Sequence, residues 1–429
     1  MNWGGVSLAL GVAGALTLAP PAARAQAAAP PLRLTRQQAI DTALADNPAL
    51  QAARQQVDEA RAQLVQQVAF PDPTIGGDVT GETSPARPGS GTGHDLGVGL
   101  TVPFPTKFHD LGVMGRAGVA QAGFAYTQLR EQTASLTAQA YDALLVAVQH
   151  HADLEGGRTL AQQFLDKTRA RYGAGTVAGL DVLKAQVDLA QAENDLIANQ
   201  RDLANARAAL NRLMGRLLGS DIVPADSLTV PPEPPPLAAL VDTARAERPE
   251  LKSMASQQRG AAAATALARS FWMPDLSLGV QQNAAQGLPT TWTTSVGLSL
   301  PLFFWNHTRG EVAQARHREL ELSASYRDVA AQVDQDVRDT WATATTALRQ
   351  ALFLRDQLLP EARRAYQIAL VSYGLGGVSA LDVLDARRTL LGAESQYADA
   401  LGAADDARAD LERAVGRPIT WQTGDNGEH

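Results

Sequence analysis

A twelve-residue turn occurs twice in this chain, and that duplication limits what the rest can become. Tyr172-Gly-Ala-Gly-Thr-Val-Ala-Gly-Leu-Asp-Val-Leu returns as Tyr373-Gly-Leu-Gly-Gly-Val-Ser-Ala-Leu-Asp-Val-Leu. Residues 172–216 map onto 373–417 by adding 201, without a gap and with 19 of 45 pairs identical. The same offset lays Asn47-Pro48-Ala49-Leu50 on Arg248-Pro249-Glu250-Leu251. The chain is therefore read as tandem repeats, about 35–220 and 237–418, expected to fold as one domain over 26–429. Between them, 224–236 contains Pro231-Pro-Glu-Pro-Pro-Pro236 and is expected to run as an extended strap over the outside.

Two periods alternate within each repeat. From Thr35 to Phe70 the pattern is helical, with Ala43, Leu50, Val57 and Leu64 seven apart, and Phe70-Pro-Asp-Pro73 ends it. No proline follows Pro105 until Pro224, so the stretch from about Asp110 to Tyr172 reads as one helix of roughly 90 Å. On the return limb Val182, Leu189, Leu196, Leu203, Leu210 and Leu217 keep a seven-residue spacing, paired three residues on with Ala185, Ala192, Ala206 and Leu213, a second row that the polar Asn199 interrupts. The second repeat carries an alanine row at Ala386, Ala393, Ala400, Ala407 and Ala414, which suits helices laid closely side by side in a wall. Pro360 has no counterpart in the first repeat, so a kink or break is expected there.

Period two takes over between the helices. Ile75, Gly77 and Val79, then Leu96, Val98, Leu100 and Val102, alternate with small or polar residues; Leu276, Leu278 and Val280, then Val296, Leu298 and Leu300, do the same. Each repeat thus carries one hairpin, the first with a long Gly/Pro/Ser/Thr loop over 81–93. These segments have the length of tilted strands that cross a bilayer. Four strands cannot close alone, and open edges in hydrocarbon cost several kcal/mol per unpaired group, so oligomerisation is required.

Residues 1–25 read as a signal peptide, with Val6 to Ala19 apolar and Ala23-Arg24-Ala25 as the cleavage pattern. The absence of cysteine leaves neither disulfides nor a lipid-accepting thiol. A net charge of −8 argues against nucleic acid as a partner. No nucleophile, zinc-ligand or phosphate-loop spacing stands out, so no enzyme activity, cofactor or metal site is assigned. His150 and His151 are adjacent and must point apart, while His94, His109 and His307 lie near hairpin ends as solvated or interfacial residues. The tail from Trp421 to His429 is polar and expected to be disordered.

Helix, hairpin, long helix, Tyr-Gly-x-Gly turn and Leu-Asp-Val-Leu return helix, twice over, resemble the TolC-type outer-membrane efflux channel family across the whole mature chain. The resemblance implies a mainly α fold with a small transmembrane β part. Long antiparallel coiled-coil helices would form a periplasmic α-barrel, and two hairpins per protomer would complete a twelve-stranded β-barrel in a homotrimer. It also implies a periplasmic adaptor and an inner-membrane transporter of the RND type as partners, and outer-membrane lipid around the strands. Within that family, Pro301-Leu-Phe-Phe-Trp-Asn-His-Thr-Arg-Gly310 followed by Ala313 is similar, with one inserted residue, to the Pro-Leu-Phe-x-x-Asn-x-x-Gly stretch of cobalt-zinc-cadmium efflux components. Heavy-metal cations are the expected cargo, with organic compounds or a type I protein-secretion duct as alternatives. A soluble periplasmic coiled-coil interaction protein is the competing class.

By the same resemblance the turns Tyr172 to Asp181 and Tyr373 to Asp385 lie at the periplasmic aperture. Asp382, Asp385, Tyr373 and Asp181 are its expected gating residues. Gly173, Gly175, Val177, Gly374, Gly376 and Val378 form the turns on which an adaptor docks, and Val378 stands where members of the family hold an arginine lock. Asp382 and Asp385 are three apart on one helical face, so a trimer would gather six carboxylates around one axis and favour cations. The first repeat has Asp181 but Lys184 in place of the second acid. Ser379-Ala-Leu-Asp382 also has the spacing of a capping box, which by itself would explain Asp382. The four glycines are expected to supply the backbone freedom of the reversals.

Overall fold

The computed structural model describes residues 32–80, 93–285, 287–299, 304–419 and 421. The expected signal peptide, hairpin residues 81–92 and Pro301 to Phe303 of the metal-efflux stretch lie outside them. In order the elements are β1 (Leu32–Leu34), α1 (Arg36–Asp46), α2 (Pro48–Gln67), β2 (Thr74–Thr80), β3 (Gly93–Val102), α3 (Pro105–Gly173) and α4 (Gly179–Leu213). They continue with β4 (Ile222–Pro224), α5 (Leu237–Glu247), α6 (Pro249–Arg269), β5 (Asp275–Ala285), β6 (Thr291–Ser299), α7 (Phe304–Phe353), α8 (Leu359–Leu375) and α9 (Ala380–Val415). Helix α3 has 69 residues, so it is about 100 Å long. Among the described residues no helix is long and apolar enough to cross a membrane.

The helices lie in one layer. Near the sheet the lateral order is α2, α3, α6, α7; towards the turns it is α4, α3, α9, α8. Helix α3 is the spine of both levels. Helix α3 and its counterpart α7 are braced alike: the Tyr141 hydroxyl of α3 donates to the Leu34 carbonyl at 2.8 Å, and Trp341 Nε1 of α7 to the Pro235 carbonyl at 3.0 Å. The return helices end on left-handed Gly215 and Gly416. Beside those ends, Asn47 Nδ2 donates to the Leu213 carbonyl at 2.8 Å and Arg248 donates to that of Ala414 at 3.0 Å, so two different residues cap equivalent helix ends.

Two expectations change here. The extended connector is tied down along its path, since Trp341 bonds it at Pro235, Leu228 packs on the core around Tyr141, and β4 at its start pairs in parallel with β1. Trp421 is packed, its Nε1 donating to Glu412 at 2.6 Å beneath the Arg408 guanidinium, so order extends into the expected tail. The leucine row stops one step early: Leu203 and Leu210 are buried, but Leu217 lies beyond the end of α4 and is exposed.

The four long strands form one antiparallel sheet in the order β2, β3, β5, β6. Register brings Ile75, Val98 and Val280 into one row, Leu100, Leu278 and Val296 into another, and Val102, Leu276 and Leu298 into a third. The opposite face holds Gly76, Gly97, Gln281 and Thr293, then Asp78, Asp95, Asn283 and Thr291. Most of the apolar rows are exposed, and among the described residues β2 and β6 have no strand on their outer edges.

Candidate functional site: the paired turns

Both turns close by the same hydrogen bonds. Thr176 N–H reaches back to the Arg171 carbonyl at 3.0 Å, and Gly377 N–H to that of Ser372 at 2.8 Å. Each chain reversal passes through one left-handed glycine, Gly175 at φ 72° and Gly376 at φ 83°. Gly173 and Gly374 are helical, so only one glycine of each pair carries the reversal. Val177 and Val378 tuck against the apolar core of the tip instead of facing outward.

The return helices then start differently. Ser379 caps α9 with a full capping box: Asp382 N–H donates to Ser379 Oγ at 3.4 Å, and Ser379 N–H donates to Asp382 Oδ2 at 2.8 Å. These bonds from the Ser379 side chain and backbone hold the Asp382 carboxyl below the usual carboxylate range. Ala178 cannot cap α4, and Asp181 instead lies 3.9 Å from Lys184. Asp385 is exposed on the same face as Asp382 and has no hydrogen-bond or ion-pair partner among the described residues.

The two turn tyrosines have opposite surroundings. Tyr373 is 1% exposed, its ring 5.2 Å from Phe164 and its hydroxyl 3.3 Å from Thr168 Oγ1. The Arg171 guanidinium lies 4.7 Å from the Tyr373 ring centre and donates to the Tyr373 carbonyl, joining the two turns. Tyr373 thus packs behind the second turn within the protomer. Tyr172, its counterpart, is 55% exposed.

Sequence reading missed one polar link. Arg387 on α9 is buried, pairs with Asp188 on α4 and donates to the Gly157 carbonyl of α3 at 3.2 Å. A Cβ on Gly157 would lie 2.7 Å from Leu391, so the bare glycine permits this approach of α3 and α9. Arginine in a row of otherwise buried α9 positions was the available signal. His150 and His151 diverge as expected, to Asp399 on α9 at 2.9 Å and Asn199 on α4 at 3.0 Å. That bond also explains the polar break in the heptad row, since Asn199 is buried. No cluster of potential metal ligands occurs among the described residues.

Comparison with known proteins places this architecture. CzcC, a cobalt-zinc-cadmium resistance protein of Cupriavidus metallidurans, is 24% identical over 65% of this chain and 66% of its own length. CusC, a cation efflux system protein of Escherichia coli, is 25% identical over 84% and 81%. A solved structure of CusC aligns with a TM-score of 0.76 over 89% of this chain and 92% of that one at 22% identity, which shows the shared fold. The family model described as outer membrane efflux protein matches twice, over 39–216 and 240–417, with both ends again 201 apart. The chain belongs to the outer membrane efflux protein family.

Proposed function

We propose that three copies of this chain close into a single duct that carries cations out through the outer membrane, joined at its turns to a periplasmic adaptor and an inner-membrane transporter of the RND type. The carrying observation is the sheet, with one apolar face, one face of Gly, Ser, Thr, Asn, Gln and Asp, and two unpaired edges at the end of a helical wall about 100 Å long. Lipid covers the apolar face, and β6 pairs with β2 of the next copy. One rotation closes every level, because β2, α2 and α4 share one edge of the protomer while β6, α7 and α8 share the other. Exposed Leu180, Leu183, Val187 and Ile197 on α4 then meet exposed Ile368, Val371 and Leu375 on α8.

The duplication specifies the contact further. Tyr373 sits on α3 beside Phe164, Thr168 and Arg171; adding 201 gives Ala365, Ala369 and Ser372 on α8. Tyr172 of the next copy occupies that place and loses its exposure. Cation preference is supported by the strands, which carry Asp78, Asp95 and Asp275 and no Lys or Arg, and by exposed Asp385 at the other end. The names of CzcC and CusC point the same way. Asp385 and Asp382 form the aperture's acidic face in this reading, Asp181 is its neutralised counterpart, and the adaptor grips the exposed tip around Gly175, Gly376 and Leu375.

Two experiments test this. With Tyr172→Cys and Ala369→Cys in one chain, mild oxidation yields a covalent trimer; monomers alone refute the ring. A deletion strain becomes sensitive to cobalt, zinc, cadmium, copper or silver and regains resistance from the plasmid-borne gene. Sensitivity to organic drugs alone refutes the cargo.

A further inference from the structure

Within the protomer the first repeat meets the second where α6, running into the sheet, packs on α3, running out of it. The contact is bare: a Cβ on Gly260 would lie 3.1 Å from the Ala117 Cβ. Ser256 and Ala263, on the same face of α6 as Gly260, are buried. A ring of identical copies repeats this meeting between copies, with α7 in the place of α3 and α2 of the next copy in the place of α6.

Register supplies the counterparts. Helices α3 and α7 match by adding 200, which lays Arg116 on Arg316, Tyr126 on Tyr326 and Tyr141 on Trp341. Helices α2 and α6 match by adding 201, which lays Pro48 on Pro249, Leu50 on Leu251 and Ala62 on Ala263. Gly260 thus corresponds to Glu59, and Ala117 to His317. Glu59 belongs to the row Ala52, Gln55, Glu59, Ala62 and Gln66, all exposed. The opposite face of α2 packs on α3, where a Cβ on Gly115 would meet Leu64. His317 is exposed in a row with Ala313 and Ala324, whereas Glu319, on the opposite face of α7, accepts from Thr265 of α6 at 3.3 Å. Arg316 and His317 line one open groove along this edge with Arg309, Ala313 and Leu320. Among the described residues neither Glu59 nor His317 has an ion-pair partner, and Glu59 accepts only from Gln63 of its own helix at 3.4 Å.

We propose that, below the sheet, copies meet through a polar contact in which Glu59 of the next copy pairs with the His317 imidazole beside the Arg316 guanidinium. The inference rests on the ring reading above. Ala62 of the next copy lies opposite Ala313 and its Ala52 opposite Ala324, so small residues flank the pair and leave it room. Packed helices lie about 8–10 Å apart according to the side chains between them, so seams within and between copies alternate narrow and wide. Complementary charge, an acid on α2 against an arginine and a histidine on α7, fixes which edge accepts which.

Glu59→Cys with His317→Cys in this cysteine-free chain tests the contact. Treated in detergent with a short bifunctional thiol reagent, the intact protein should run as a covalent trimer. If Tyr172→Cys with Ala369→Cys gives a trimer and this pair does not, the ring stands and the seam is refuted; if neither does, the ring fails and the seam with it. Exchanging the charges tests the pairing. Glu59→Lys and His317→Glu should each lower the temperature at which the trimer dissociates in SDS, and the two together should restore at least half of the loss. Both positions are exposed in the protomer, so its own packing is untouched. Single variants that leave the temperature unchanged, or losses that merely add, overturn the pairing.

Discussion

Replacing each turn tyrosine by alanine should separate packing within the protomer from packing between copies. Tyr373 is fully enclosed by Phe164, Thr168 and Arg171, so Tyr373→Ala leaves an aromatic-sized cavity costing about 3–5 kcal/mol. At about 1.4 kcal/mol per factor of ten, this is a hundredfold or greater acceleration of amide exchange around Phe164, Thr168 and Val383, provided these amides open locally. Tyr373→Phe removes only one 3.3 Å hydrogen bond, and Thr168 Oγ1 keeps its bond to the Phe164 carbonyl at 2.8 Å. Its cost is about 1 kcal/mol or less, under tenfold in exchange. Tyr172→Ala should change exchange in a dispersed protomer by no more than about 0.5 kcal/mol, since that ring is exposed there, yet lower the temperature at which the trimer dissociates in SDS. Exchange around Phe164 within threefold of wild type in Tyr373→Ala would refute the packing argument. An unchanged dissociation temperature in Tyr172→Ala would refute the proposed contact between copies.

Burial beside Asp142 raises Asp405 to about 6 and Asp406 to about 7, against the pull of Arg36, and burial near Glu250 raises Glu131 to about 7. An acid whose pKa is raised by folding binds its proton more tightly in the folded state, so stability is greatest below its unfolded pKa and falls as pH rises through the folded value. The melting temperature should therefore drop between about pH 4 and pH 7, corresponding to about 1–3 kcal/mol; a rise over that range contradicts the assignment. Asp382→Ala should lower the melting temperature only slightly, because it removes the acceptor of the Ser379 N–H but leaves Ser379 Oγ capping the residue 382 N–H, whereas Asp385→Ala should leave stability unchanged and reduce the cation selectivity of single channels in bilayers. Unchanged reversal potentials in the double variant remove both acids from the aperture. Arg387→Met should cost about 3–5 kcal/mol by stranding Asp188, and Arg387→Met with Asp188→Leu should recover most of it. Equal melting temperatures for the single and double variants would show that the pair is uncoupled.

Much of the architecture was legible because it rests on local periodicity. Ile75, Val98 and Val280 alternate with small residues whatever surrounds them, and the strands formed where alternation placed them, in one sheet of four. Ser379 and Asp382 are three residues apart, and the capping box followed from that spacing. The glycines were half legible: composition marked four, but the sign of φ selected Gly175 and Gly376. Tyr172 and Tyr373 hold the same place in their Tyr-Gly-x-Gly turns, and only the packing of α3 residues Phe164, Thr168 and Arg171 against the second turn buries one and leaves the other exposed. Pro360 announced an interruption of the second long helix, but not its form, a π-turn at Leu354–Leu358 from which α8 continues. Arg387 and Asp188 lie 199 residues apart, a separation that no local pattern can link.

The sequence by itself determined the duplication, the helix and strand periods, the two reversals and the need for other copies to cover the sheet edges. Each follows from interactions between residues close in the chain or from the cost of unpaired backbone in lipid. Tertiary structure decided which of two equivalent turns is supported from behind, which charges are buried, and which helix carries a π-turn. Those outcomes depend on which helix lies beside which, and the two repeats, alike in pattern, acquire different neighbours only when the wall is assembled.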